Sequence, residues 1–227
     1  HMVAAVTSYP EFSCDSTKQY EVRVVGGLSH DVLNIGDDRV IDFLKCVLDN
    51  IANIFPYDYI HIGGDECPTE QWATNAQCLA RVKQLGLSGV HQLQSWLVEE
   101  LGIYLKEKHQ KDIIVWDELL SNWNDNNKTK PVIMAWNSIG KSADAAKRGM
   151  KSIIVPYSHL YLDFMQSNEN NRFVDELYHG GWGINTLDEI YSLNPLSSLS
   201  GKESYALGVQ GNMWTETTND IDEVEYQ

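Results

Sequence analysis

The sequence predicts an α/β fold of the (β/α)8 TIM-barrel type, here an incomplete barrel lacking about the first three β-strands. Three observations predict it. Short apolar runs alternate with longer stretches of helical spacing, five such runs can be counted, and each ends on aromatic or ionisable residues. Open doubly wound sheets share this alternation. Barrel enzymes, however, place polar groups at the carboxyl ends of several different strands, which is where they lie here, and no glycine-rich phosphate loop follows the first run. A whole barrel takes about 250 residues. The 227 residues therefore read as one domain fragment over 1–227, the C-terminal part of such a barrel.

The elements follow in order. Residues 38–55 carry apolar side chains at 40, 41, 44, 47, 48, 51 and 54, a helical stripe behind an acidic first turn that the helix dipole favours. Tyr59-Ile60-His61-Ile62 is the first strand-like run. Residues 90–108 repeat the helical pattern through Leu93, Leu97, Leu101 and Leu105. Further strands are expected at 112–116, 131–136 and 151–156, with a short helix at 142–149 closed by Gly149. A poorer fifth run, 206–211, leads into Asn212-Met213-Trp214-Thr215-Glu216. The connections read as ordinary loops, the longest at 166–185, with no internal repeat beyond the β-α unit and no low-complexity tract.

Composition narrows the function. With 43% hydrophobic and 10% aromatic residues the chain buries a sizeable core. Its net charge of −15 repels polyphosphate, which excludes nucleic acid and anionic membranes as partners and favours a neutral or cationic ligand. No apolar run reaches the roughly 18–20 residues of a membrane span, and the chain reads as soluble. Cys14, Cys46, Cys67 and Cys78 are too few and too scattered for a disulfide framework, and no C-x-x-C pair suggests zinc. His1-Met2 has the look of an appended pair, and the apolar stretch behind it reads as the inside of a domain.

The chemistry concentrates at strand ends. Gly63-Gly64-Asp65-Glu66 follows a buried strand, and its glycines let the backbone turn sharply beside a ligand. Adjacent side chains in extended backbone diverge, so the two carboxylates can face different parts of one substrate, with environments that separate their pKa values. An acidic loop that binds water or Ca2+ has the same sequence. Trp116, Trp136, Tyr161 and Trp214 fall at or just past strand ends, and Trp116-Asp117-Glu118, Tyr161-Leu162-Asp163 and Trp214-Thr215-Glu216 each pair an aromatic with an acid. Core packing is the usual duty of aromatics in such proteins, yet a tryptophan floor with carboxylates for hydroxyl groups describes a glycan pocket. The histidines lack metal-ligand spacing, no Gly-x-Ser-x-Gly elbow appears, and Cys67 has no basic neighbour to activate it.

His61-Ile62-Gly63-Gly64-Asp65-Glu66, followed by Trp72, resembles the signature of glycoside hydrolase family 20, the β-N-acetylhexosaminidases. Trp116-Asp117-Glu118 is similar to that family's fifth-strand motif, Trp136 to its sixth-strand tryptophan, Tyr161-Leu162-Asp163 to its seventh and 208–216 to its eighth. At the start, His1 and Tyr9-Pro10-Glu11-Phe12-Ser13-Cys14 resemble the segment after the family's third strand, which makes His1 a group that supports the acid.

The resemblance implies a retaining glycosidase whose nucleophile is the substrate's own 2-acetamido oxygen. Glu66 is then the general acid and base, and Asp65 orients the acetamido N–H. Tyr161 hydrogen-bonds the acetamido oxygen. Trp116, Trp136 and Trp214 wall the sugar, and Asp163 and Glu216 bind its polar groups. The implied partner is a glycan ending in a 2-acetamido sugar, with no cofactor and no metal, and the parent protein is expected in the periplasm, at the cell surface or secreted. The fragment alone is expected to be inactive or weakly active. The rival from another class is a non-catalytic glycan-binding or scaffold fragment, and a third reading is a glycosidase with a carboxylate nucleophile.

Overall fold

The computed structural model describes residues 3–25, 27–166 and 183–215. Two compact units divide at 131/132. In the first, α1 (Val3–Ser8) precedes α2 (Asp38–Ile54), β1 (Tyr59–His61), α3 (Glu70–Thr74), α4 (Ala76–Leu85), α5 (Leu93–His109) and β2 (Asp112–Trp116). In the second, β3 (Val132–Ala135), α6 (Gly140–Lys147), β4 (Ser152–Ile154), α7 (Tyr157–Leu160), α8 (Leu187–Ser192) and β5 (Ala206–Val209) follow.

The named strands pair in parallel within each unit. β1 lies beside β2 with His61 opposite Ile114, and β4 lies between β3 and β5 with Ala135 opposite Ile154 and Ile154 opposite Val209. Parallel strands buried on both faces read as continuous apolar runs, and β3 is buried at all four positions. Each such side chain withdrawn from water contributes roughly 1.5–3 kcal/mol before conformational entropy is set against it. β2 alternates instead, burying Ile113 and Val115.

Helix α2 has a capped start as well as an apolar face. Asp37 accepts the Arg39 N–H at 2.9 Å at the start of α2, and the Arg39 guanidinium at 2.7 Å holds its carboxyl below the usual range. Val40, Ile41 and Leu48 of α2 are buried. The 90–108 pattern divides: Val90–Gln92 is a 3-10 turn, and α5 begins at Leu93. A clamp fastens α2 to α5, in which Asp49 accepts from the Tyr104 hydroxyl (2.8 Å) and Lys108 (2.7 Å), with His109 Nε2 at 2.7 Å.

Two helices add to the expected elements. The stretch after the Gly63–Glu66 turn forms α3 and α4, whose stripe is sparse because only Trp72 and Cys78 are buried. Punctuation carries α4 instead: the Asn75 side chain accepts the N–H groups of Gln77 and Cys78 at 3.0 Å, and Gly86 ends it at φ 63°. Trp72 donates its indole N–H to the Leu33 carbonyl at 2.9 Å within a core that includes Val6, Ile35, Val40, Ile41 and Leu93. Among the described residues no helix is long and apolar enough to cross a membrane.

Candidate active site

In the first unit the site grows from the end of β1. Parallel bonding continues past the strand, with the Ile62 N–H donating to Ile114 O and the Trp116 N–H to Gly63 O, each at 3.0 Å. The chain then turns through three residues of positive φ: Gly63 at 78°, Gly64 at 102° and Glu66 at 46°. Glycine adopts such angles freely, whereas glutamate does so at a cost of order 1–3 kcal/mol. Strain of this kind persists where the surroundings hold it, and functional sites are where it gathers.

His61 supports the turn from within β1. The Gly63 N–H donates to its Nδ1 at 3.0 Å, so that nitrogen is an acceptor and the neutral ring carries its proton on Nε2. Lost hydration lowers the pKa of the ring, against the opposing charge of Asp65. Its other neighbour is Trp116, the last residue of β2, with ring centroids 4.9 Å apart. His61, Asp65, Glu66 and Trp116 thus gather at the carboxyl ends of two neighbouring strands.

Burial raises the pKa of both acids, and the secondary influences separate them. For Asp65, its own backbone N–H and the charge of His61 oppose the rise, whereas for Glu66 the negative charge of Asp65 adds to it. The charge of Asp65 thus opposes ionisation of the Glu66 carboxyl beside it. One ionised acid beside one protonated acid is the division of labour that acid-base catalysis uses. Cys67 next to them is no nucleophile, since burial pushes its thiol up.

The second unit holds an aromatic group with Tyr161 at its centre. Trp136, just past β3, lies nearly parallel to Tyr161 with centroids 6.1 Å apart, and Trp214 meets the same ring at 6.0 Å and 61°. Tyr157 and Phe164 pack edge-on at 6.3 and 5.8 Å. Such ring pairs contribute about 0.5–1.5 kcal/mol each beyond their buried area. Backbone bonds fix the hub: the Leu162 N–H donates to Asn212 O and the Asn212 N–H to Leu160 O, both at 2.7 Å. Buried Asn185 also donates to the Tyr161 carbonyl at 3.2 Å. Asp163, two residues on, is buried.

The structure thus groups Asp65, Glu66 and Trp116 in one unit, and Trp136, Tyr161, Asp163 and Trp214 in the other. Glu216 and His1 lie outside the described residues. His61, Tyr157 and Phe164 were absent from the expected site. Tyr157 had a usable signal, an aromatic directly behind the strand ending at Pro156, whereas Asn185 had none. Among the described residues no group of three or more His, Cys, Asp or Glu side chains is arranged to hold a metal ion. A cleft of about 380 Å3 in the first unit opens at the other end of β2, beside Asp112, and contains none of these residues.

The chain is similar to known proteins throughout its length. It is 34% identical over 230 residues to a β-hexosaminidase of Porphyromonas gingivalis, covering all of this chain and 28% of that protein, and 28% identical to one of Vibrio furnissii, covering 36% of it. It thus spans about a third of the length of these curated relatives. Among solved structures, an exo-β-N-acetylglucosaminidase of Vibrio harveyi in complex with N-acetylglucosamine superposes with a TM-score of 0.81 at 25% identity, over 98% of this chain and 34% of that one. A β-N-acetylhexosaminidase of Bacteroides fragilis gives 0.72 at 26%, over 95% and 41%. These likenesses and the parallel strands bear out the expected fold, part of a (β/α)8 barrel of the TIM type. The model of the glycosyl hydrolase family 20 catalytic domain matches residues 1–227, and the chain belongs to that family.

Proposed function

We propose that the protein carrying this catalytic-domain segment hydrolyses terminal β-linked N-acetylglucosamine or N-acetylgalactosamine from glycans, with retention and with the substrate's acetamido group as nucleophile. The observation that carries this reading is the Asp65-Glu66 pair, two adjacent acids on one strained strand-end turn, both with pKa raised by burial and Glu66 raised further by the charge of Asp65. Relatives named β-hexosaminidases, and a related structure holding N-acetylglucosamine, support the substrate class.

The proposed steps assign one duty to each acid. Glu66 gives its proton to the glycosidic oxygen as the C1–O bond breaks, and the acetamido oxygen bonds to C1, forming an oxazolinium ion. Asp65 accepts the acetamido N–H and balances the positive charge that develops there. The Glu66 carboxylate then takes a proton from water as its oxygen adds to C1, reopening the ring and returning the β-anomer. Tyr161 donates to the acetamido oxygen. Trp116, Trp136 and Trp214 cover the apolar faces of the sugar, and Asp163 and Glu216 bind its polar groups.

The test is hydrolysis of a chromogenic β-N-acetylglucosaminide by the full-length protein and by Glu66→Gln. The variant should lose on the order of 100-fold or more in kcat, and equal turnover sinks the assignment. A 2-hydroxy analogue should be turned over far more slowly than the 2-acetamido substrate. Equal rates, with a trapped glycosyl-enzyme, would point to a carboxylate nucleophile. The Tyr161-centred aromatics favour one other reading, a glycan-binding protein without turnover, which predicts sugar binding by wild type and Glu66→Gln alike and hydrolysis by neither. From the substrate class we also place the protein in the periplasm, at the cell surface or outside the cell, which fractionation tests.

A further inference from the structure

The turn that presents the acids is fastened peptide by peptide. The Gly63 N–H is held by His61 Nδ1, and the Gly63 carbonyl by the Trp116 N–H, so the two strands restrain the chain that far. The next peptide, Gly64–Asp65, lies beyond the ladder. Its carbonyl accepts a hydrogen bond from Gln94 Nε2 at 2.9 Å. Gln94 stands in the first turn of α5 between Leu93 and Ser95, which are 0% and 1% exposed, so the helix delivers its amide from a fixed point in the core. We propose that Gln94 is a positioning residue for the Asp65-Glu66 pair, acting through the plane of the Gly64–Asp65 peptide.

Sterics do not fix that plane. A Cβ on Gly64 would meet only Gln94 Nε2 at 3.8 Å and Val115 Cβ at 3.9 Å, ordinary contact distances, and glycine at φ 102° permits the peptide to rotate. The Gln94 hydrogen bond holds its orientation from the core side. A peptide is planar, so fixing the carbonyl on one edge fixes the N–H on the other. That N–H belongs to Asp65 and supports its carboxylate, lowering its pKa against the larger effect of burial. His61 lowers it as well. Loss of Gln94 frees the peptide, moves the N–H away and turns Asp65, and Glu66 behind it, out of register with a bound sugar.

The inference rests on the proposed catalysis for its kinetic consequence but not for its electrostatic one, so two readouts separate them. Gln94→Met keeps the length and removes the donor, and Gln94→Lys keeps a donor. In the full-length protein, the Asp65 carboxyl of Gln94→Met, followed by 13C NMR, should titrate at higher pH than in wild type. On the chromogenic β-N-acetylglucosaminide its kcat should fall about 10- to 100-fold, with KM little changed, and Gln94→Lys should recover both properties in part. Should Gln94→Met melt before assay, Gln94→Leu, uncharged and without a donor, carries the same expectations. An Asp65 titration unmoved in a folded donor-less variant overturns the positioning role. A shifted titration in a protein whose wild type lacks hydrolysis leaves that role standing and removes the catalytic reading. An active wild type, a dead Glu66→Gln and a donor-less Gln94 variant equal to wild type in both readouts removes the positioning role alone.

Discussion

Substituting Gly64 with alanine tests whether the turn needs its left-handed backbone. There is room for the added methyl, whose nearest neighbours would stand 3.8 and 3.9 Å away, so crowding contributes nothing. The whole penalty is then conformational, an L-residue at φ 102°, and amounts to about 1–3 kcal/mol. In a protein of this size each kcal/mol lowers Tm by about 2–4 °C, which gives a fall of about 2–12 °C if the fold carries the strain. The alternative outlet is for the turn to relax, which spares Tm but moves Asp65 and Glu66, and a misplacement near 1 Å costs up to about 100-fold in rate. Thermal melts and kcat on the chromogenic substrate, measured on one preparation, should therefore show one loss or the other. A Gly64→Ala protein with wild-type Tm and wild-type kcat refutes the claim that the positive φ is required.

Two further substitutions test the balance between site and scaffold. Asp65 has its pKa raised by burial, so its charged form is less stable folded than unfolded. That penalty is absent below the unfolded pKa of about 3.9 and complete above the raised folded value. Asp65→Asn should accordingly raise Tm at pH 7 while abolishing turnover, and the gain should vanish as the pH is lowered through the carboxylate range; a gain unchanged in acid contradicts the linkage. Gly36→Ala should instead destabilise without touching the site. Its Cβ would fall 2.3 Å from the Cys78 nitrogen and from the Gln77 carbonyl carbon, so the first turn of α4 must move. Overpacking of that kind costs about 1–3 kcal/mol, and a Gly36→Ala melt equal to wild type would show that the loop and α4 yield freely.

What the sequence discloses and what it withholds divide along the range of the forces involved. Apolar period and strand-end chemistry are local, so β1 to β5, α2, α5 and α6 were legible within a few residues. The same holds for the two glycines before Asp65, because a sharp turn beside a ligand demands them. Helix α4 escaped because its burial is slight, although Asn75 and Gly86, a cap and a stop, stood in plain sight. The Tyr161 group shows the next limit. Aromatics at three strand ends can be counted in a sequence, but which ring becomes the hub depends on the bonds of 160 and 162 to Asn212, fifty residues along the chain. Gln94 marks the far limit, since nothing near it in sequence distinguishes it from any polar residue on an exposed helical face. Its meaning arises only when buried Leu93 and Ser95 set the rotation of α5 and bring its amide to a carbonyl thirty residues upstream. A residue of that kind is specified by packing rather than by pattern, and a substitution there should disturb the acids without altering any feature by which the family is recognised.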